Sequence, residues 1–267
     1  MDAAALIWSV GLVASGAVIG FLVGMTGVGA GSVTTPLLIS AFGVPPVVAV
    51  GTDLLFAALT KSTAAWRYQK HKFIDWTVLV WLAAGSLPAA LLTLVWLKWA
   101  NPSTAMLTMF IRTALGVILL LSAVANMAYP WLIARQPRTM PAAVIGPRRR
   151  FATWSLGFVL GGMVVMTSVG AGAIGVAALM ILFPNLSVRR LIGTDVVHAI
   201  PLAFVAGLGH LAIGSIDLRV LGLLLLGSVP GIAGGLRVTN SAPEWLVRYA
   251  LAGVLILAAT LLLFKHG

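Results

Sequence analysis

The sequence contains no cysteine and very little charge: of 267 residues, 9% are Asp, Glu, Lys or Arg and 60% are hydrophobic. Without a thiol there is no disulfide scaffold, no thiolate metal site and no thiol enzyme. A water-soluble domain of this size carries about 25% charged residues, so a shortage spread along the whole chain excludes a soluble globular fold. Acidic residues are the scarcest, 6 against 17 Lys and Arg, for a net charge of +11. In a soluble protein that excess would point to nucleic acid. With no soluble basic face to offer a phosphate backbone, it reads instead as a topology signal. No basic region precedes the first apolar run after Met1 and Asp2, so no cleavable signal peptide is expected. P-loop, HExxH, GxSxG and kinase-type signatures are absent, which argues against an enzyme or an ATP-driven pump.

What the chain does have is apolar length. Crossing a hydrocarbon core takes about 20 apolar residues in a helix, and windows of that kind fall at 4–23, 47–65, 76–97, 104–128, 153–169, 191–213, 218–236 and 245–264. Two further apolar stretches, 32–42 and 173–184, follow Gly-rich breaks and are too short to cross unaided. The expected fold is therefore an all-α polytopic membrane protein with eight full spans and two short broken helices.

The chain also repeats itself. Gly16, Gly20, Met25, Thr26, Gly29 and Gly31 recur 141 residues on as Gly157, Gly161, Met166, Thr167, Gly170 and Gly172. After a one-residue insertion, Gly51, Thr52, Asp53, Ile74, Asp75, Gly85, Ser86 and Pro88 recur as Gly193, Thr194, Asp195, Ile216, Asp217, Gly227, Ser228 and Pro230. Apolar bias can match Leu to Leu by chance but not Asp, Thr and Pro in order. Two homologous halves of five segments follow, 1–130 and 152–267, joined by an Arg-rich linker at 131–151. Equivalent loops differ in basic residues: 66–75 holds Arg67, Lys70 and Lys72 while 208–217 holds none, and 185–190 holds Arg189 and Arg190 while 43–46 holds none. Because Lys and Arg in short loops mark the cytoplasmic side, this predicts halves that sit inverted, with both termini outside. A parallel arrangement would put basic clusters on both faces.

Inverted halves with interrupted helices are the recipe of a secondary transporter, with its site near mid-depth at the repeat interface. Candidate residues fall in two repeated places. The Gly-rich breaks, GMTGVGAG at 24–31 and TSVGAG at 167–172, abandon the helix and expose N–H groups beside the positive end of a half-helix, which suits an anion. The substrate-binding candidates there are Thr26, Gly27, Gly29, Gly31, Thr167, Ser168, Gly170 and Gly172. For Gly16, Gly20 and Gly24, spaced by four, close helix packing is the preferred reading. The second place is the Gly-Thr-Asp pair, with Thr52 and Thr194 as hydroxyl donors. Asp53 and Asp195 are ionisable groups inside apolar sequence, which makes functional involvement the default; an interhelical hydrogen bond or a helix cap are the plainer alternatives. His198 shares a helical face with Asp195 and could exchange protons with it. Lys61 stands eight residues past Asp53, able to pair with it, to attract an anion, or to snorkel toward the basic loop. Arg112 is a possible anion contact, Arg248 a weaker one. The Trp residues near segment ends read as an interfacial belt.

The Gly-rich break with Pro36 after it, then Gly-Thr-Asp, a basic loop ending in Ile74, Asp75 and Trp76, and then Gly85 and Ser86, all echoed later, resembles the TauE/SafE sulfite exporter family over nearly the entire chain. The stretches GTDLLFAALTKS at 51–62 and HAIPLAFVAGLGHL at 198–211 are similar to one bacterial branch of it. The resemblance implies export of sulfite, a sulfonate or a related organosulfur anion across the bacterial inner membrane. The residues carried over are the Gly-rich breaks and the two Gly-Thr-Asp positions. No cofactor or metal is expected. The expected partners are a small anionic substrate and membrane lipids, not nucleic acid, and a homodimer stays open. Two other classes remain: a proton- or cation-coupled antiporter using Asp53 and Asp195, and a non-transporting membrane subunit.

Overall fold

A computed structural model describes residues 3–26, 31–70, 73–100, 103–136, 146–238 and 244–264. Among them every regular element is a helix: α1 (Ala3–Thr26), α2 (Gly31–Ser40), α3 (Pro46–Lys70), α4 (Trp76–Ala100), α5 (Thr104–Ala134), α6 (Pro147–Thr167), α7 (Ala173–Leu182), α8 (Val188–Ala212), α9 (Leu218–Val238) and α10 (Glu244–Phe264). Each apolar window of the sequence lies on one of these helices, and the two short windows are α2 and α7, 10 residues each. Among the described residues six helices, α1, α4, α5, α6, α8 and α9, are long and apolar enough to cross a membrane by length and composition. The other two windows expected to cross, on α3 and α10, are not among those six. Both windows nevertheless lie on helices of sufficient length to cross, 25 residues in α3 and 21 in α10.

Among the described residues large apolar side chains face outward, and polar groups are buried within an otherwise apolar core. Trp99, Met109, Ile7, Leu226 and Phe264 are exposed, while Thr34, Thr35, Thr52, Asp53, Ser86, Thr194, Asp195 and His198 are buried. That inversion suits a hydrocarbon solvent, where outward apolar side chains cost nothing and polar ones must find partners inside.

Glycines bring the helices together. Gly16, Gly20 and Gly24 on α1 meet the backbone of Leu224, Ser228 and Ile232 on α9 so closely that a Cβ would collide with each carbonyl. Residue numbers rise together along both helices, so α1 and α9 run in the same sense. The equivalent pair is built the same way, with Gly157 and Gly161 of α6 against Leu82 and Ser86 of α4. The packing reading of Gly16, Gly20 and Gly24 therefore describes what the side-chain-free surface does. On the central pair, Gly51 of α3 meets His210 and Ser215 while Gly207 of α8 meets Leu55, so α3 and α8 run in opposite senses. So do α5 and α10, where Gly116 meets Leu263 and Tyr129 meets Arg248.

The second half's break is sharp. α6 stops at Thr167, Ser168 takes the left-handed conformation at φ 58°, and Gly170 and Gly172 hold φ of 133° and 130°, a region open to glycine at little cost. α7 starts on the far side. At the other end of α6, Pro147 in the first turn starts the helix early, so Arg148, Arg149 and Arg150 stand in a helix rather than in a free linker. The guanidinium of Arg149 lies over Phe183 and that of Arg150 over Trp81.

Candidate functional site

The antiparallel crossing of α3 and α8 carries the buried charges. Asp53 is fully buried eight residues into α3, too deep to be a helix cap. Its Oδ2 accepts the Thr35 hydroxyl at 2.6 Å, a bond from the short helix α2. The hydroxyls of Thr34 and Ser168 stand beside the same carboxylate, and Ser168 closes no hydrogen bond. Asp195, 1% exposed, sits in α8 against the start of α7, with the Gly172 amide facing its carboxylate. A Cβ at Gly175 would collide with Asp195 Oδ1. Oδ1 of Asp53 and Oδ1 of Asp195 both lie buried without a hydrogen-bond partner.

Lys61 stands within electrostatic reach of both carboxylates. It is 6% exposed, pointed into the molecule rather than out toward the basic loop, and its charge acts on Asp195, Asp53 and His198. A lysine among two carboxylates is how a bundle keeps ionisable groups away from lipid at tolerable cost, since each alone costs about 2.5–3.5 kcal/mol at mid-depth. His198 turns to α4, where its Nε2 lies 2.7 Å from Ser86 Oγ, and its Nδ1 is buried without a partner. His210 places Nε2 3.0 Å from the Val165 carbonyl.

Thr52 and Thr194 spend their hydroxyls between the halves. Thr194 Oγ1 accepts the Asp75 amide at 2.8 Å and donates to the Arg190 carbonyl at 2.7 Å; Thr52 Oγ1 accepts the Asp217 amide at 3.1 Å. Asp75 and Asp217 then cap the helices they begin: Asp75 Oδ1 accepts from Val78, and Asp217 Oδ1 from Arg219 and Val220. Arg190 adds an ion pair to Asp75 at 3.4 Å. Thr167 is also occupied locally, donating to Met163 and accepting the Val169 amide. Arg112 on α5 is half-buried with Nε unpartnered, and Arg248 lies 3.0 Å from the centre of the Tyr129 ring.

The structure thus brings Asp53, Lys61, Asp195, Ser168 and Gly172 together and sets Thr52 and Thr194 as ties between halves. Gly27 and Gly29 lie outside the described residues, and of Thr26 and Gly31 the backbone alone is described, as the last residue of α1 and the first of α2. Thr34, Thr35, Gly175 and Ser86 are site residues that sequence reading missed. Thr35 and Asp53 are 18 residues apart on different helices, a spacing with no periodic signature. No group of three or more His, Asp or Glu that could hold a metal occurs among the described residues.

An all-helical bundle with six apolar helices long enough to span and ionisable groups buried inside is the build of a multi-pass inner-membrane protein, and its relatives give its class, a membrane transporter. Residues 12–262 match the sulfite exporter TauE/SafE family, and the chain belongs to it. It is 31% identical over 250 residues to "Probable membrane transporter protein YjnA" of Bacillus subtilis, covering 94% of this chain and 98% of that one. It is 26% identical over 258 residues to "Probable membrane transporter protein YdhB" of the same organism, covering 92% and 96%. No solved structure matches the chain significantly.

Proposed function

We propose that the protein is a secondary transporter that moves a small organosulfur anion, sulfite or a sulfonate, outward across the membrane by alternating access between two inverted halves. Eight spans, with α3 and α10 completing the six apolar ones, and two half-helices make up this arrangement. The opposite senses of the equivalent pairs α3 with α8 and α5 with α10 support the inversion, because a two-fold axis lying in the membrane plane reverses each helix it relates. The observation that carries the reading is the buried cluster of Asp53, Lys61 and Asp195, shared by both halves and adjoining the unwound stretch Ser168–Gly172. Lys61 and the amides at the start of α7 supply the positive side of such a site. The family's name supplies the substrate class. A membrane potential provides about 2.3 kcal/mol per charge per 100 mV, enough to drive an anion out of a negative interior without a pump.

The unpartnered Oδ1 atoms of Asp53 and Asp195 favour a second reading, an antiporter in which these carboxylates ligate a proton or cation. An uptake screen in liposomes over sulfite, thiosulfate, sulfoacetate, taurine and sulfate, with and without a pH gradient, tests both. The anion reading predicts saturable sulfite or sulfonate flux. Asp53→Asn that abolishes cation flux and spares sulfite flux selects the antiporter, and a protein that moves nothing is a membrane subunit without transport of its own.

A further inference from the structure

The start of α7 holds a carboxylate belonging to the chain itself. The first N–H groups of any helix lack intrahelical acceptors and favour an anion, and α7 begins at Ala173 after the N-cap Gly172, which has no side chain to cap it. Asp195 fills that place from α8. The Gly172 amide faces its carboxylate, and Gly175, one turn in, is bare enough for Oδ1 to sit where a Cβ would be. Asp195 is 1% exposed, and Oδ1 has no hydrogen-bond partner.

The first half treats its aspartate differently. Asp53 also meets the short helix of its own half, but there the Thr35 hydroxyl ties Oδ2 at 2.6 Å. At the 141-residue offset, Thr34 stands where the second half has Gly175. Asp53 is fastened by a hydroxyl; Asp195 rests against a glycine turn, with the Gly172 amide facing it and Lys61 within electrostatic reach.

We propose that Asp195 is a tethered stand-in for the transported anion: its carboxylate occupies the oxyanion seat on the first turn of α7 and leaves it as the neutral acid when substrate arrives. The inference rests on the transport reading above and adds the seat and the coupling to it. Two anions cannot share one helix start, so each substrate anion bound brings one proton onto Asp195, taken from the side that the anion comes from. The charged groups facing Asp195 are Lys61 and, beyond it, Asp53 on α3; His198 stands one turn along α8 with its ring on Ser86 of α4. Asp75, at the start of α4, is engaged with Arg190. The arginines of α6 stand in its first turn, at the far end from Ser168, and α7 carries no titratable residue.

The test is binding of methanesulfonate and sulfoacetate to the purified full chain in detergent between pH 6 and pH 8, with an indicator dye counting protons in weak buffer. Methanesulfonate stays charged throughout, so its own titration does not enter. The expected result is an affinity that weakens by about tenfold per pH unit once Asp195 ionises, with about one proton taken up per anion, as linkage requires. Asp195→Asn binds with an affinity that does not change with pH and takes up no proton. An equal pH dependence in Asp195→Asn, or no proton uptake by the unaltered protein, overturns the inference and leaves the transport reading standing. So does failure to bind either sulfonate when sulfite flux persists in liposomes. A protein that neither binds nor moves any of these anions removes both. Where the variant does not purify as a monodisperse species, the proton count on the unaltered protein decides.

Discussion

Thr35 shows how one hydroxyl conditions a buried charge. It is fully buried and donates to Asp53 Oδ2 at 2.6 Å. Thr35→Val keeps the shape of the side chain and removes the donor, so it is expected to cost about 1–3 kcal/mol of stability, read as a lower unfolding midpoint in detergent. Thr35→Ser is expected to recover most of the loss; equal midpoints for the Val and Ser variants would show that the hydroxyl carries no weight. This residue was not legible in the sequence, whereas Asp53 was, and the difference is physical. An aspartate in an apolar run stands out by its solvation cost alone, while a threonine is cheap anywhere in a helix and acquires a role only from what packs against it. The same holds for Thr52 and Thr194. Their repetition marked them as significant, but their partners, the amides of Asp217 and Asp75, lie in the opposite half.

Helices in this protein meet through absent side chains. Gly20 of α1 lies against the Ser228 backbone, and a Cβ there would collide with its carbonyl, while Gly222 of α9 has nothing within 4 Å of the same position. Gly20→Ala is therefore expected to destabilise by about 1–3 kcal/mol through forced separation of α1 and α9, and Gly222→Ala to be neutral; thermal unfolding of the two variants side by side measures this. If both behave alike, the close pairing of α1 with α9 is wrong. Elements were the most legible level of the sequence, because apolar length and glycine spacing act locally. All ten apolar windows lie on helices, with ends displaced by several residues, most at α6, where Pro147 begins the helix ahead of the apolar run.

For the whole molecule, the arrangement of the two halves decides what the site can do. The repeat was visible as a fixed offset of matched residues, yet an offset says nothing about orientation, which had to be argued from loop charge. Ala41 and Asn185, both exposed, lie in equivalent loops after α2 and α7. Because the chain has no cysteine of its own, Ala41→Cys and Asn185→Cys can each be labelled on a clean background in intact cells. Inverted halves predict that an impermeant maleimide reaches Ala41→Cys from outside and Asn185→Cys only after the membrane is opened; labelling of both from one side means parallel halves. The central claim is that a small organosulfur anion passes through the junction of these halves one side at a time. Counterflow in liposomes loaded with unlabelled sulfite and diluted into trace radiolabelled sulfite tests it most directly. The account predicts transient accumulation of label above its external concentration, saturating with sulfite and driven by the unlabelled anion inside. Uptake that only equilibrates, at a rate indifferent to internal sulfite, would contradict it.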